Sequence, residues 1–164
     1  MKDQLVVVDQ GKGKLELAFV RAGQALPAWT DRDVLVSFLH EHLKPYQDTP
    51  PDIRRGLDDA LGNHPAAGGF VLLARLDGQL AGALVMLRTG MKGYIPENLL
   101  LFVAVDGALR GRGIGAELVR TAVTSCDGDV KLHVEHDNPA RRLYERLGFA
   151  SKYVEMRLPK GAHP

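Results

Sequence analysis

The chain has 164 residues, 45% of them hydrophobic, which suffices for one sizeable core but not for two, so a single domain over residues 1–164 is expected. Lys plus Arg number 21 against 20 for Asp plus Glu, a balance that excludes the global positive field that draws proteins to nucleic acid or anionic membranes. One cysteine, Cys126, leaves no intramolecular disulfide framework, Met1 to Gln4 lacks the basic and apolar regions of a signal peptide, and no apolar run nears the roughly 20 residues that span a bilayer; a cytoplasmic protein without a membrane segment is expected.

In chain order, Leu5 to Val8 and Leu15 to Val20 flank Gln-Gly-Lys-Gly and predict a hairpin. A helix opens near Thr30 or Asp31, carries Val34, Leu35, Phe38, Leu39 and Leu43 on one stripe, and stops at Pro45. After the stiff loop Lys44 to Pro51, a second helix with Ile53, Leu57 and Leu61 ends at Gly62-Asn63. Phe70 to Leu76 and Gln79 to Arg88 flank Asp77-Gly78, the strongest hairpin signal in the chain. The run Leu99 to Val105 is apolar on both faces and predicts a central strand. A helix from about Gly113 to Ser125 follows, with Leu118, Val119, Ala122 and Val123 inward, closed by Asp127-Gly128. Val130 to Val134 is the next strand. Asn138 caps a last helix with Pro139 as its first residue, Ala140, Leu143, Tyr144 and Leu147 on one stripe, and Gly148 as its stop. Phe149 to Leu158 is expected to close the chain as a strand.

The segment joining the central strand to its helix, Leu109-Arg-Gly-Arg-Gly-Ile-Gly-Ala116, carries the chemistry. Gly111, Gly113 and Gly115 let the backbone take left-handed angles and aim successive N–H groups at an anion near the helix N-terminus, while Arg110 and Arg112 add charge. The segment reads as a phosphate cradle. Gly111-Arg-Gly113-Ile-Gly-Ala116 also fits the dinucleotide fingerprint Gly-x-Gly-x-x-Gly/Ala, with Glu135 near the ribose-acid distance. Against that reading, Asp106 to Arg110 separate the glycines from the strand, and too little chain follows Glu135 for a second nucleotide-binding half. The histidines form no metal pair: His133 and His136 point to opposite faces of a strand, and His40 and His42 lie about 200° apart on a helix.

Two motifs and the order of elements resemble the GNAT superfamily of acyl-CoA-dependent N-acetyltransferases. The pyrophosphate motif Arg/Gln-x-x-Gly-x-Gly/Ala is met by Arg110, Gly113 and Gly115. Asn138-Pro-Ala140-Arg-Arg-Leu-Tyr144-Glu-Arg-Leu-Gly148-Phe149 matches a second signature, with the alanine two residues after the asparagine. The resemblance implies an α/β (α+β) fold with a mixed, mostly antiparallel central sheet flanked by helices, here with an extra N-terminal strand and a short C-terminal end. It implies acetyl-CoA as cofactor, with the pantetheine arm on the backbone of Val103, Ala104 and Val105. The pyrophosphate is then expected on Gly111, Arg112, Gly113, Ile114, Gly115 and Ala116, with Arg110 alongside and Asn138 facing the pantetheine or the acceptor.

The same resemblance makes Tyr144 the general acid. An amine attacking a thioester expels a thiolate whose conjugate acid has a pKa near 8.5, and a phenol near 10 can protonate it. From its stripe alone, Tyr144 reads equally as a packed aromatic. Glu97, just before the central strand and stiffened by Pro96, is the candidate base, with a solvated loop glutamate as the plain alternative; His133 and His136 are weaker candidates for a proton relay. Tyr46, Asp48, Tyr94 and Glu97 would line the acceptor site, and carboxylates beside aromatics suit a small cationic amine or amino acid rather than a protein N-terminus or lysine side chain. A non-catalytic acyl-CoA sensor is the rival of a different class. Many members of the family carry two strands after the Gly-Phe, but only 15 residues follow Phe149, so a second subunit in a homodimer or the N-terminal strand would supply the missing edge.

Overall fold

A computed structural model describes residues 4–9, 13–62 and 68–162. The elements run β1 (Gln4–Asp9), β2 (Gly13–Arg21), α1 (Arg32–His42), α2 (Pro50–Leu61), β3 (Gly69–Leu76), β4 (Gln79–Arg88), β5 (Asn98–Val105), a short 3-10 turn (Gly107–Leu109), α3 (Ile114–Thr124), β6 (Val130–Leu132) and α4 (Ala140–Arg146). Among the described residues six strands form one sheet in chain order, antiparallel throughout except for the parallel pair β5–β6.

Period-2 alternation along β3 sorts the core into two layers. Phe70, Leu72, Ala74 and Leu76 face α3 and α4, and Val71 and Leu73 face α1 and α2. Strands β3 and β4 are therefore covered on both sides, as their unbroken apolar runs require. The β3–β4 turn has positive φ at both central residues, Asp77 (48°) and Gly78 (87°), the type I′ geometry that the Asp-Gly pair favours. The glycine at Gly82 lets α3 lie close on β4, since a Cβ there would stand 2.8 Å from Leu118 Cδ1.

Helix α1 begins where the sequence predicts, at Asp31, which accepts from the Val34 N–H at 2.8 Å, and Thr49 caps α2 by accepting from the Asp52 N–H. Helix α4 begins one residue later than expected, at Ala140, with Pro139 instead of Asn138 at its cap position. Helix α1 is rotated relative to the expected stripe, burying Val36 with Leu35 and Leu39 and leaving Val34 45% exposed. The junction of β1 and β2 falls outside the described residues, as does Asn63, but their antiparallel register runs to Asp9 opposite Gly13. Helix α4 closes in a Schellman motif: the Phe149 N–H donates to the Tyr144 carbonyl at 3.0 Å, Gly148 N–H to Glu145 at 3.1 Å, and Gly148 has φ 97°.

Two expected strands are corrected. β6 spans only Val130–Leu132 instead of reaching Val134, and its pairing with β5 ends at Leu100, next to the point where the β4–β5 register shifts. Phe149 to Leu158 forms no strand; Tyr153, Val154, Met156 and Leu158 are 74–90% exposed. A tail flanking so short a β6 finds at most three residues to pair with. No helix among the described residues is long and apolar enough to cross a membrane.

Candidate active site

The centre of the site is an irregularity in β5. Val85 pairs with Phe102 and Met86 with Leu100, so Leu101 has no partner on β4 and forms a bulge. On its other side β5 pairs with β6 only through Asn98, Leu99 and Leu100. The bulge thus coincides with the parting of the two strands. From Leu101 to Val105 the β6-facing backbone edge of β5 has no strand against it among the described residues, and the Val103–Val105 segment singled out from the sequence lies along that opening. Helix α2 reaches the bulge closely: a Cβ at Gly56 would stand 2.6 Å from Leu101 Cδ2.

Beyond Val105 the chain is fastened before it enters the glycine-rich loop. Asp106 donates its N–H to the Ala81 carbonyl at 2.9 Å and caps the short turn by accepting from Ala108 N–H at 2.9 Å. Gly107 N–H donates to His42 Nδ1 at 3.1 Å, and the Arg110 guanidinium donates to the His42 carbonyl at 2.7 Å. Arg110 therefore ties the loop to the end of α1, where the sequence suggests only a charge beside the anion. His42 is a site residue that sequence reasoning missed, since its partners lie 65 and 68 positions away.

Gly111 (φ 79°) and Gly113 (φ 83°) adopt the left-handed region, and a Cβ on either would meet nothing within 4 Å. Gly113 begins α3 without a capping side chain, and Glu117 N–H to its carbonyl closes the first turn at 3.0 Å. The N–H groups of Ile114, Gly115 and Ala116 consequently point out of the helix end, the geometry that holds an anion. Gly115 packs the cradle onto its surroundings: a Cβ there would touch Val105 and Leu143 at 3.5 Å.

Tyr144 is 8% exposed and stands edge-on to Phe149 with ring centroids 5.9 Å apart. Burial, reinforced by Glu135, pushes its phenol up to about 12, so the hydroxyl keeps its proton across the physiological range. Asn138 Oδ1 accepts from the Ala140 N–H at 2.9 Å and its amide donates to Glu135 at 3.3 Å; this asparagine shapes the loop and steers a carboxylate at once.

The carboxylates sort differently from the sequence-based expectation. Glu97 accepts from the backbone N–H of Asp129 at 2.9 Å and of Gly93 at 3.4 Å, which holds its carboxyl below the usual range. It sits at the Asn98 end of β5, on the order of 20 Å from Val105 by strand rise. Glu97 fastens the closed end of the β5–β6 junction, and Tyr94, 81% exposed, belongs to the same loop. Tyr46 and Asp48, in contrast, gather with Glu135 and Asp137. Burial raises the Tyr46 phenol, to which Asp137 is hydrogen-bonded, and burial with the charges of Asp52 and Glu135 raises Asp48. Glu135 acts on Tyr46, Asp48 and Tyr144 alike and is the second residue that sequence reasoning did not assign here. His133 faces Glu155 at 3.8 Å.

The family model described as "Acetyltransferase (GNAT) family" matches residues 32–149. No curated protein matches the chain. Among solved structures, a predicted acetyltransferase with acetyl-CoA from Clostridium acetobutylicum aligns with a TM-score of 0.62 at 17% identity, covering 90% of this chain and 99% of that one. The ribosomal-protein-alanine N-acetyltransferase of Brucella melitensis biovar Abortus 2308 aligns at 0.60 and 18%, covering 88% and 98%. A transcriptional regulator from Bacillus halodurans C-125 aligns at 0.57 and 18%, covering 87% and 99%. At these identities the likeness is one of fold, and it spans proteins of different function.

Proposed function

The chain belongs to the GNAT acetyltransferase family, and from that premise we propose that it transfers an acetyl group from acetyl-CoA to a small cationic primary amine by direct attack in a ternary complex. The observation that carries the reading is the coincidence of the Leu101 bulge, the end of β5–β6 pairing and the uncapped N-terminus of α3 in one stretch of chain. The β6-facing backbone edge over Val103, Ala104 and Val105 suits pairing with the amides of a pantetheine arm. The N–H groups of Gly111 to Ala116 suit the pyrophosphate.

In this reading the neutral amine nitrogen attacks the thioester carbonyl, the C–S bond breaks, and the leaving thiolate takes the Tyr144 proton. Its raised pKa keeps the phenol protonated until the thiolate forms beside it. Asp48 and Glu135 take over the role that the sequence suggested for Glu97: they draw a cationic amine and accept its released proton, directly or through water. Burial, with the charges of Asp52 and Glu135 added, raises Asp48 and makes it a better proton acceptor than an ordinary carboxylate.

Two copies of the chain associate in the same reading, because Val154, Met156 and Leu158 are exposed apolar side chains and β6 leaves a sheet edge unpaired among the described residues. A purely monomeric species in sedimentation would remove that part alone. The principal test is calorimetric titration with acetyl-CoA, with NAD run alongside, followed by thiol release over a panel of amines. Acetyl-CoA binding with amine-dependent thiol release is expected. Binding without release over amines, amino acids and peptide N-termini would favour an acyl-CoA sensor, and binding of NAD alone would overturn the cradle assignment.

A further inference from the structure

At the closed end of the sheet, remote from the cradle, a cleft of about 260 Å³ opens on the α3 side. Strand register builds it. Arg21 lies directly opposite Phe70, and Phe70 opposite Met86, so one cross-strand row runs guanidinium, aromatic ring, thioether. Two residues along β4 from Met86, Arg88 stands opposite Asn98 and brings a second guanidinium to the same face. Phe70 and Met86 are buried and form an apolar floor. Gly69 lets the strands close beneath it, since a Cβ there would stand 1.9 Å from the Met86 carbonyl oxygen. The half-buried Cys126 thiol forms part of the wall.

The charges in this cleft are unevenly satisfied. Arg21 lies over the rings of Phe19 and Phe70, 5.0 and 5.7 Å from their centroids, which orients its guanidinium and supplies no counter-ion. No carboxylate among the described residues pairs with Arg21 or Arg88. Of the two acids on the wall, Glu97 has its carboxylate taken up by the N–H groups of Asp129 and Gly93, which leaves Asp127 on the exposed rim. The carbonyl end of α3 adds some negative potential, but the Ala122 carbonyl is occupied by Ser125 and Cys126. Two guanidiniums, that of Arg21 held over the aromatic rings, thus share a cleft with an aromatic and thioether floor and one solvated carboxylate.

We infer that this cleft is a second ligand site, distinct from the acetyl-CoA cradle, for a small organic carboxylate with an apolar body, its carboxylate bridging Arg21 and Arg88 and its body lying on Phe70 and Met86. Guanidinium forks match a carboxylate in plane, and the volume suits a single-ring acid. Binding here needs neither acetyl-CoA nor transfer activity.

Benzoate and its neutral isostere benzamide are the probes, and the chain's lone cysteine is the reporter. Benzoate is expected to slow iodoacetamide alkylation of Cys126 saturably while benzamide leaves it unchanged, and calorimetry is expected to show a matching benzoate isotherm. Arg88→Gln should weaken the isotherm at least tenfold, and Arg21→Gln should do the same with the fold unchanged by circular dichroism. Absence of a benzoate isotherm, equal effects of benzoate and benzamide, or undiminished binding in both variants would overturn the inference. None of these outcomes bears on acetyl-CoA binding, which the cradle controls.

Discussion

Replacing Tyr144 by Phe removes one oxygen from a side chain that is 8% exposed and leaves its contact with Phe149 in place. Two quantities follow. As general acid, Tyr144 should contribute on the order of 10² to 10⁴ in turnover, so kcat should fall by that factor with the acetyl-CoA dissociation constant within about twofold of wild type. The second comes from linkage. The folded-state pKa of about 12 is raised above the ordinary 10, so the stabilising difference is fully present below pH 10 and is lost as pH rises from 10 through 12. Two units correspond to about 2 to 3 kcal/mol, most of which should vanish from wild type over that interval. Tyr144→Phe has no phenol there to ionise and should lose correspondingly less. Urea denaturation at pH 8 and pH 11.5, run on both proteins, measures the difference. Any alkaline loss from Tyr46, whose phenol is also raised, is common to both and cancels. Equal alkaline losses in the two proteins would refute the buried, protonated phenol, and unchanged kcat in Tyr144→Phe would remove it as the acid.

Gly113→Val forces a β-branched side chain into φ 83° and points its Cβ into the space before α3; acetyl-CoA binding should disappear, and tight binding by a folded variant in calorimetry would contradict the cradle. His42→Ala deprives the Gly107 N–H of its acceptor and should weaken acetyl-CoA binding about fivefold, measured by the same titration, while the backbone carbonyl still holds Arg110. Asp48→Asn with Glu135→Gln should raise KM for a diamine about tenfold more than for a monoamine with an uncharged tail; equal effects would detach these carboxylates from acceptor recognition. Gly148→Ala, strained at φ 97°, should cost about 1 to 2 kcal/mol in urea denaturation, and a neutral effect would mean that the α4 terminus can open without loss.

Short-range signals settled much of this protein within the sequence itself. The Asp77-Gly78 turn, the Asp31 cap and the Gly148 stop depend on φ preferences and hydrogen bonds a few residues long, and the left-handed backbone at Gly111 and Gly113 is local for the same reason. Apolar runs at β3, β4 and β5 likewise announce a sheet covered on both faces. Contacts between distant segments decided the rest. Whether Leu101 bulges depends on how β4 and α2 press on β5, and the pairing with β6 ends beside that bulge. The surroundings of the carboxylates are decided the same way: Glu97 accepts from backbone 32 positions away, and Glu135 meets Tyr46 and Asp48 only once the loops converge. Val34 and Val36 are equally apolar in sequence, and only the packing of α1 on the sheet chose between them. Arg21 and Arg88 stand 67 positions apart, and antiparallel register alone brings them to one cleft, because a strand's face is set by its partners and not by its own residues.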